Sequence, residues 1–179
     1  MALGVADEKK VLGELNLNIG LTHGQQLLPA IVQLLKLVKL QPQQLTGIGV
    51  AIGPGSFTGL RIGVATAKAF AQGLSIHICG VPTFQVLASN FVGSEGLICP
   101  LFDARRGEVY AAVYRYRNQL VELLPAQAVP IDQLVFELKR LNQPILFCGD
   151  GAATFESDLL QRLPNLARIA PAEVRQSRG

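Results

Sequence analysis

A chain of 179 residues with 49% hydrophobic content is long enough for one sizeable core or two small lobes sharing an interface. Its net charge of +3 is too weak to argue for nucleic acid by itself, no apolar run is long enough to span a membrane, and the first residues do not read as a signal peptide. Cys79, Cys99 and Cys148 stand far apart without a Cys-x-x-Cys pair, which argues against a zinc or dithiol centre and for a reduced, cytoplasmic setting.

The chain opens on a hairpin over residues 1–18, turning at Asp7-Glu8-Lys9-Lys10. Residues 22–40 have helical period: Leu27, Leu28, Ile31, Leu34, Leu35 and Val38 form an apolar face, and Gln25, Gln26, Gln33, Lys36 and Lys39 a polar one. Pro29 falls near the first turns, where a missing amide donor costs less than it does mid-helix. After Gln41-Pro42-Gln43-Gln44, the run Ile48-Gly49-Val50-Ala51-Ile52 reads as a buried strand. Gly53-Pro54-Gly55 breaks it, and Ser56 or Thr58 caps a helix that runs to Leu74. A strand over 76–81 and a short helix over 83–90 come next. A glycine-serine shift over 89–96 then divides an N-terminal α/β lobe, 1–92, from a C-terminal one, 93–179. The second lobe begins with a hairpin, strands 97–102 and 109–114 around a turn at 104–107. A helix over 131–141, a strand over 145–148 and a last helix over 152–163 complete it. Strands alternating with helices are an α/β signature.

The helix after Gly53 carries Gly59, Gly63, Ala67 and Ala71 at every fourth position. Interior glycines cost about 1 kcal/mol each against alanine, which fits a face that another element approaches closely. Leu60, Ile62, Val64, Phe70 and Leu74 fill the rest of the circumference, leaving Arg61, Lys68 and Gln72 as a thin polar stripe. A helix apolar nearly all round is covered on more than one side, and in a chain this short that points to a second protein. The glycine turn also raises phosphate binding at a helix N-terminus. It lacks the Lys-Ser/Thr of a P-loop, however, and its third glycine lies one residue too far along for the dinucleotide fingerprint.

His23 and His77 are the two histidines, in different elements and without metal-site spacing; His77 reads as a partly buried strand residue. Asp103, Glu108 and Asp150 remain for acid–base work, and the first two flank one turn. Asp150 sits between Gly149 and Gly151 after a strand, at the edge where α/β sheets place their sites. It reads either as the cap of the next helix or, with Asp103, Gly149 and Gly151, as a vestigial nucleotide pocket. No serine, cysteine or lysine stands with a base, so nucleophilic catalysis has no support. Tyr110, Tyr114 and Tyr116 mix with Arg115 and Arg117, a mixture that serves RNA stacking or ordinary strand alternation.

The block Gly53-Pro54-Gly55-Ser56-Phe57-Thr58-Gly59-Leu60-Arg61-Ile62-Gly63, followed by Ala67-Lys68 and Gly80-Val81-Pro82-Thr83, resembles the bacterial TsaB (YeaZ) family. Asp103-Ala104-Arg105-Arg106-Gly107-Glu108-Val109-Tyr110 and Gly149-Asp150-Gly151 extend the likeness. That family supplies the non-catalytic partner subunit in synthesis of threonylcarbamoyladenosine on tRNA. The resemblance implies an actin-like, RNase H-like (ASKHA) α/β fold of two lobes, short at both ends. Family chains open with an earlier strand ending in Asp-Thr-Ser and continue past 171–179 through another helix. Active superfamily members carry His-x-x-x-His where Thr83 and Leu87 stand here. They also carry a Ser-Gly-Gly phosphate turn where this chain has Asp103 to Gly107, whose aspartate would repel phosphate and whose Arg105 and Arg106 would partly offset it.

The role implied is a scaffold without cofactor, metal or membrane contact. It would bind the catalytic homologue TsaD, alongside the ATPase TsaE, for threonylcarbamoyl transfer to adenosine of tRNA, with tRNA contact indirect. The expected partner face comprises Leu28, Ile31 and Leu35 on the first long helix and Phe57, Leu60, Arg61, Gly63, Val64 and Lys68 on the second. The same helices can form a homodimer instead. The rival expectation is an enzyme in its own right, a metal- and ATP-dependent transferase or a glycoprotease-like peptidase.

Overall fold

The computed structural model describes residues 1–17 and 23–172. The chain divides into two compact units, Met1–Thr83 and a second that begins at Phe84. The glycine-serine segment 93–96 lies inside the second unit.

In the first unit β1 (Ala2–Ala6) and β2 (Val11–Asn16) pair antiparallel. The Asp7 carboxylate closes their turn, accepting from the amides of Lys9 (2.7 Å) and Lys10 (2.8 Å), the local bonding that favours aspartate in turns. Helix α1 (His23–Leu37) follows; Thr22, at its expected start, lies outside the described residues. Pro29 sits in its second turn, past the first amides that lack an intrahelical acceptor, so it removes one rung rather than none. Ala30, Leu34 and Leu35 are buried, and Leu34 lies against Gly13 of β2.

A 3-10 turn at Pro42–Gln44 leads to β3 (Gly47–Ala51), α2 (Phe57–Leu74) and β4 (His77–Val81). The two strands pair in parallel, from Gly47 opposite His77 to Ala51 opposite Val81, and α2 is the long crossover that such pairing requires. The sequence reading of a buried strand here is corrected. Helix α2 packs on β3, but one helix does not cover a strand pair to its ends, and Ile52 and Ile78 are exposed. His77 is exposed as well.

In the second unit, after α3 (Thr83–Ser89), five strands lie in the order β7-β6-β5-β8-β9. Strands β5 (Leu97–Arg105), β6 (Glu108–Arg117) and β7 (Gln119–Pro130) form an antiparallel meander, and β8 (Ile145–Cys148) and β9 (Ala167–Ile169) add on in parallel. Alternation along β5 divides the core: Leu97, Cys99 and Leu101 face a cluster with Leu134, Val135 and Leu138 of α4 (Ile131–Leu141). Ile98 faces the other, with Phe84, Leu87 and Ala88 of α3, as the two-residue period of a strand dictates. The Phe84 and Phe102 rings lie 4.8 Å apart. The sequence reading missed β7 and β9, and the expected last helix is two, α5 (Asp150–Thr154) and α6 (Glu156–Arg162), broken at Phe155.

Candidate functional site

The turn before α2 is pinned at both ends of one residue. The Gly53 amide donates to Thr83 Oγ1 (3.1 Å) and the Gly53 carbonyl accepts from the Thr83 amide (2.8 Å). Gly53 has φ +114°, a conformation that side chains disfavour. Of the two expected caps the structure uses Ser56, whose Oγ accepts from the Gly59 amide at 3.3 Å. The helix so started buries Ala67 and Ala71. A Cβ placed on Gly63 would stand 4.0 Å from Val50 Cγ2 of β3. Gly63 therefore faces the unit's own strand, at ordinary contact distance, and not the free face that the sequence reading gave it.

The free face is a quarter-turn away. Phe57, Leu60, Arg61, Val64, Ala65 and Lys68 line an open groove of about 410 Å³, at the three- and four-residue steps that align side chains along a helix. Phe57 is 74% exposed, and the Arg61 guanidinium lies 5.4 Å from its ring centroid, within cation–π range. The groove is apolar along its floor, carries two cations and has no carboxylate in its lining. On α1, Leu28 and Val32 are exposed and Ile31 half-buried, whereas Leu35 is only 5% exposed. Leu35 is thus corrected to a core residue: it turns inward beside Leu34. Val32 and Ala65 were missed, although each is four residues from an expected member, Leu28 or Arg61.

In the second candidate, around Asp103 and Gly149-Asp150-Gly151, both glycines lie against the chain's own backbone. Gly149 has φ +95°, and a Cβ on it would collide with the Leu101 carbonyl oxygen. One on Gly151 would come within 2.8 Å of Phe102 C and 2.9 Å of Asp103 N. The two glycines let α5 cross the β5 backbone, so close packing alone accounts for both. Asp150 opens α5 rather than capping it, and its Oδ1 accepts from the Gly151 amide at 2.7 Å. Asp103 Oδ1 accepts from the Arg105 amide (2.7 Å), fastening a turn in which Arg105, Arg106 and Gly107 all have positive φ.

At the positions compared with a metal pair, Thr83 is engaged with Gly53 and Leu87 is fully buried. Among the described residues, no three His, Cys, Asp or Glu side chains gather as a metal site would need. Burial pushes the Cys148 thiol up to about 12, and burial first, then Cys148, raises Cys99; both are inert thiols. The tyrosines do not form one platform. Tyr114 is buried and donates to Glu122 Oε2 at 3.1 Å, its phenol raised by burial and then by that carboxylate, while Tyr110 is exposed.

The family model described as TsaD: tRNA N6-adenosine threonylcarbamoyltransferase matches residues 19–174. A relative from Bacillus subtilis (strain 168), named tRNA threonylcarbamoyladenosine biosynthesis protein TsaB, is 42% identical over 150 residues, 82% of this chain and 66% of the relative's length. YeaZ from Pseudomonas aeruginosa superposes with a TM-score of 0.76 at 21% identity, over 98% of this chain and 81% of that one. A further crystal structure, of an uncharacterised protein with similarity to peptidase YeaZ from the same organism, gives 0.79 at 22% identity, over 96% and 78%. The fold is that of YeaZ, and the chain belongs to the TsaB (YeaZ) family within the wider threonylcarbamoyltransferase family.

Proposed function

We propose that the chain is a non-catalytic subunit in threonylcarbamoyl modification of tRNA, and that it docks its catalytic homologue, TsaD, on the exposed face of α2 with Leu28 and Val32 of α1. The observation that carries this is the apolar groove from Phe57 to Lys68, set beside a relative named for threonylcarbamoyladenosine biosynthesis. Exposed apolar strips with a polar rim mark interaction surfaces. The partner performs the transfer, with TsaE as a further component, and this chain holds the partner in its active arrangement. No described helix is long and apolar enough to cross a membrane, which agrees with work in the cytoplasm.

Co-expression with TsaD of the same organism tests the assignment. The two should co-purify, and Val64→Glu should release the partner while the chain keeps its circular dichroism. Retention of the partner by a folded Val64→Glu chain refutes the docking face. Metal-dependent ATP turnover by the chain alone refutes the non-catalytic assignment and restores the rival enzyme.

A further inference from the structure

The second unit has a basic concavity that the α2 groove does not explain. It opens where β6 runs past the start of β5: Leu97 pairs with Arg115 on one side and Ile145 on the other. Arg115, Tyr116, Arg117, Gln143 and the loop 93–96 line about 370 Å³ there. The loop wall is fixed. Gly96 has φ +88° and lies so close to Pro144 that a Cβ would strike its carbonyl oxygen, and the next amide, that of Leu97, donates to the same oxygen at 2.8 Å.

Charge is what marks the site. Arg115 is half-buried, and Nη2 donates to Gln143 Oε1 at 2.9 Å. A neutral amide orients the guanidinium without neutralising it. The arginines in ion pairs are Arg140 and Arg162; among the described residues neither Arg115 nor Arg117 has a carboxylate partner. Glu95, the one carboxylate in the lining, is exposed. Residues two apart on a strand share a face and stand about 7 Å apart, so two guanidiniums, the group suited to bidentate phosphate binding, are presented side by side.

We infer that Arg115 and Arg117 form a phosphate-binding site, taking either the phosphodiester backbone of an RNA strand or the phosphate of a free nucleotide. The site lies outside the α2 face and does not rest on the docking proposal; an RNA occupant would replace the expectation of purely indirect tRNA contact.

The test uses the full chain without a partner. A short fluorescein-labelled single-stranded RNA is titrated by anisotropy across a salt series, with inorganic phosphate and AMP as competitors. Two phosphate contacts contribute about 1.4 to the slope of log K against log salt for a single strand, or about 25-fold in affinity at 0.1 M salt. Arg115→Ala/Arg117→Ala should remove that much, and Arg117→Ala alone, at an exposed position, about half of the slope. RNA binding that shows this loss and resists AMP assigns the site to a strand. Displacement by AMP or phosphate, with AMP binding lost in the variants, assigns it to a free phosphate ester. Wild-type chain that binds neither probe, or folded variants that bind as wild type does, overturn the proposal.

Discussion

Phe57→Ala isolates the α2 face. The ring is 74% exposed, and its recorded partner in the folded chain is the Arg61 guanidinium. Removing it should leave stability within about 0.5 kcal/mol of wild type, as for surface substitutions generally. In a docked complex the same ring loses the exposure it now has. Complete burial of a phenylalanine contributes about 1.5–3 kcal/mol, so covering three quarters of it contributes roughly 1–2 kcal/mol, a loss of about 5- to 30-fold in Kd on truncation. Calorimetric titration with the catalytic homologue reads that change, and a melting curve shows that the fold is intact. Phe136→Ala is the control, since Phe136 on α4 is a comparably exposed phenylalanine, 61% open, outside the groove. An unchanged Kd in Phe57→Ala, or an equal loss in Phe136→Ala, refutes the reasoning.

Leu35→Ala should cost about 2–5 kcal/mol of stability through the cavity it leaves, whereas Leu28→Ala should leave the melting temperature nearly unchanged and weaken partner binding; the reverse pattern would return Leu35 to the surface. Gly151→Ala should lower the melting temperature of the second unit whether or not nucleotide is present, because its Cβ meets backbone rather than a ligand. Asp150→Ala should cost no more than about 1 kcal/mol and leave tRNA modification intact in a reconstituted assay. Alkaline pH should destabilise the chain. Burial raises Cys148 from a usual value of 9.0 to about 12, so the unfolded chain releases its thiol proton first; that contribution is fully present below pH 9.0 and is lost as pH rises toward 12. Melting temperature against pH should fall above about 9, less steeply in Cys148→Ala, and a flat profile would contradict the burial.

Helices α2 and α4 and strand β8 were legible because their periodicity is strong and glycine, proline or asparagine punctuates their ends. Strand β7 was not: Pro125 and Pro130 read against a strand, yet β7 is the sheet edge, where a missing donor is tolerated. The break at Phe155 carries neither glycine nor proline, so nothing in the sequence marked it. The errors at Leu35 and Gly63 share a cause. The apolar face of the first long helix is wide and the second is apolar nearly all round, and composition does not say which part the chain's own strands cover. Gly149 and Gly151 were read as part of a nucleotide pocket, whereas in the structure a Cβ on either would meet the β5 backbone. A phosphate and a crossing strand impose the same demand, and only the position of Leu101 to Asp103 distinguishes them.

The size of the α2 face sets the kind of assembly it can support. Six groove residues, even with the exposed Leu28 and Val32 added, fall well short of the roughly 20–30 residues a side of a stable interface. A lasting complex must therefore recruit more surface than the groove, or the association exchanges readily. A second copy and the catalytic homologue would compete for the same anchors, Phe57 and Val64, so each addition of the homologue should draw down the homodimer by mass action. Sedimentation of a fixed amount of chain against increasing homologue distinguishes the cases: a homodimer that persists inside the mixed complex places the two contacts on different surfaces, and the α2 groove then serves only one of them.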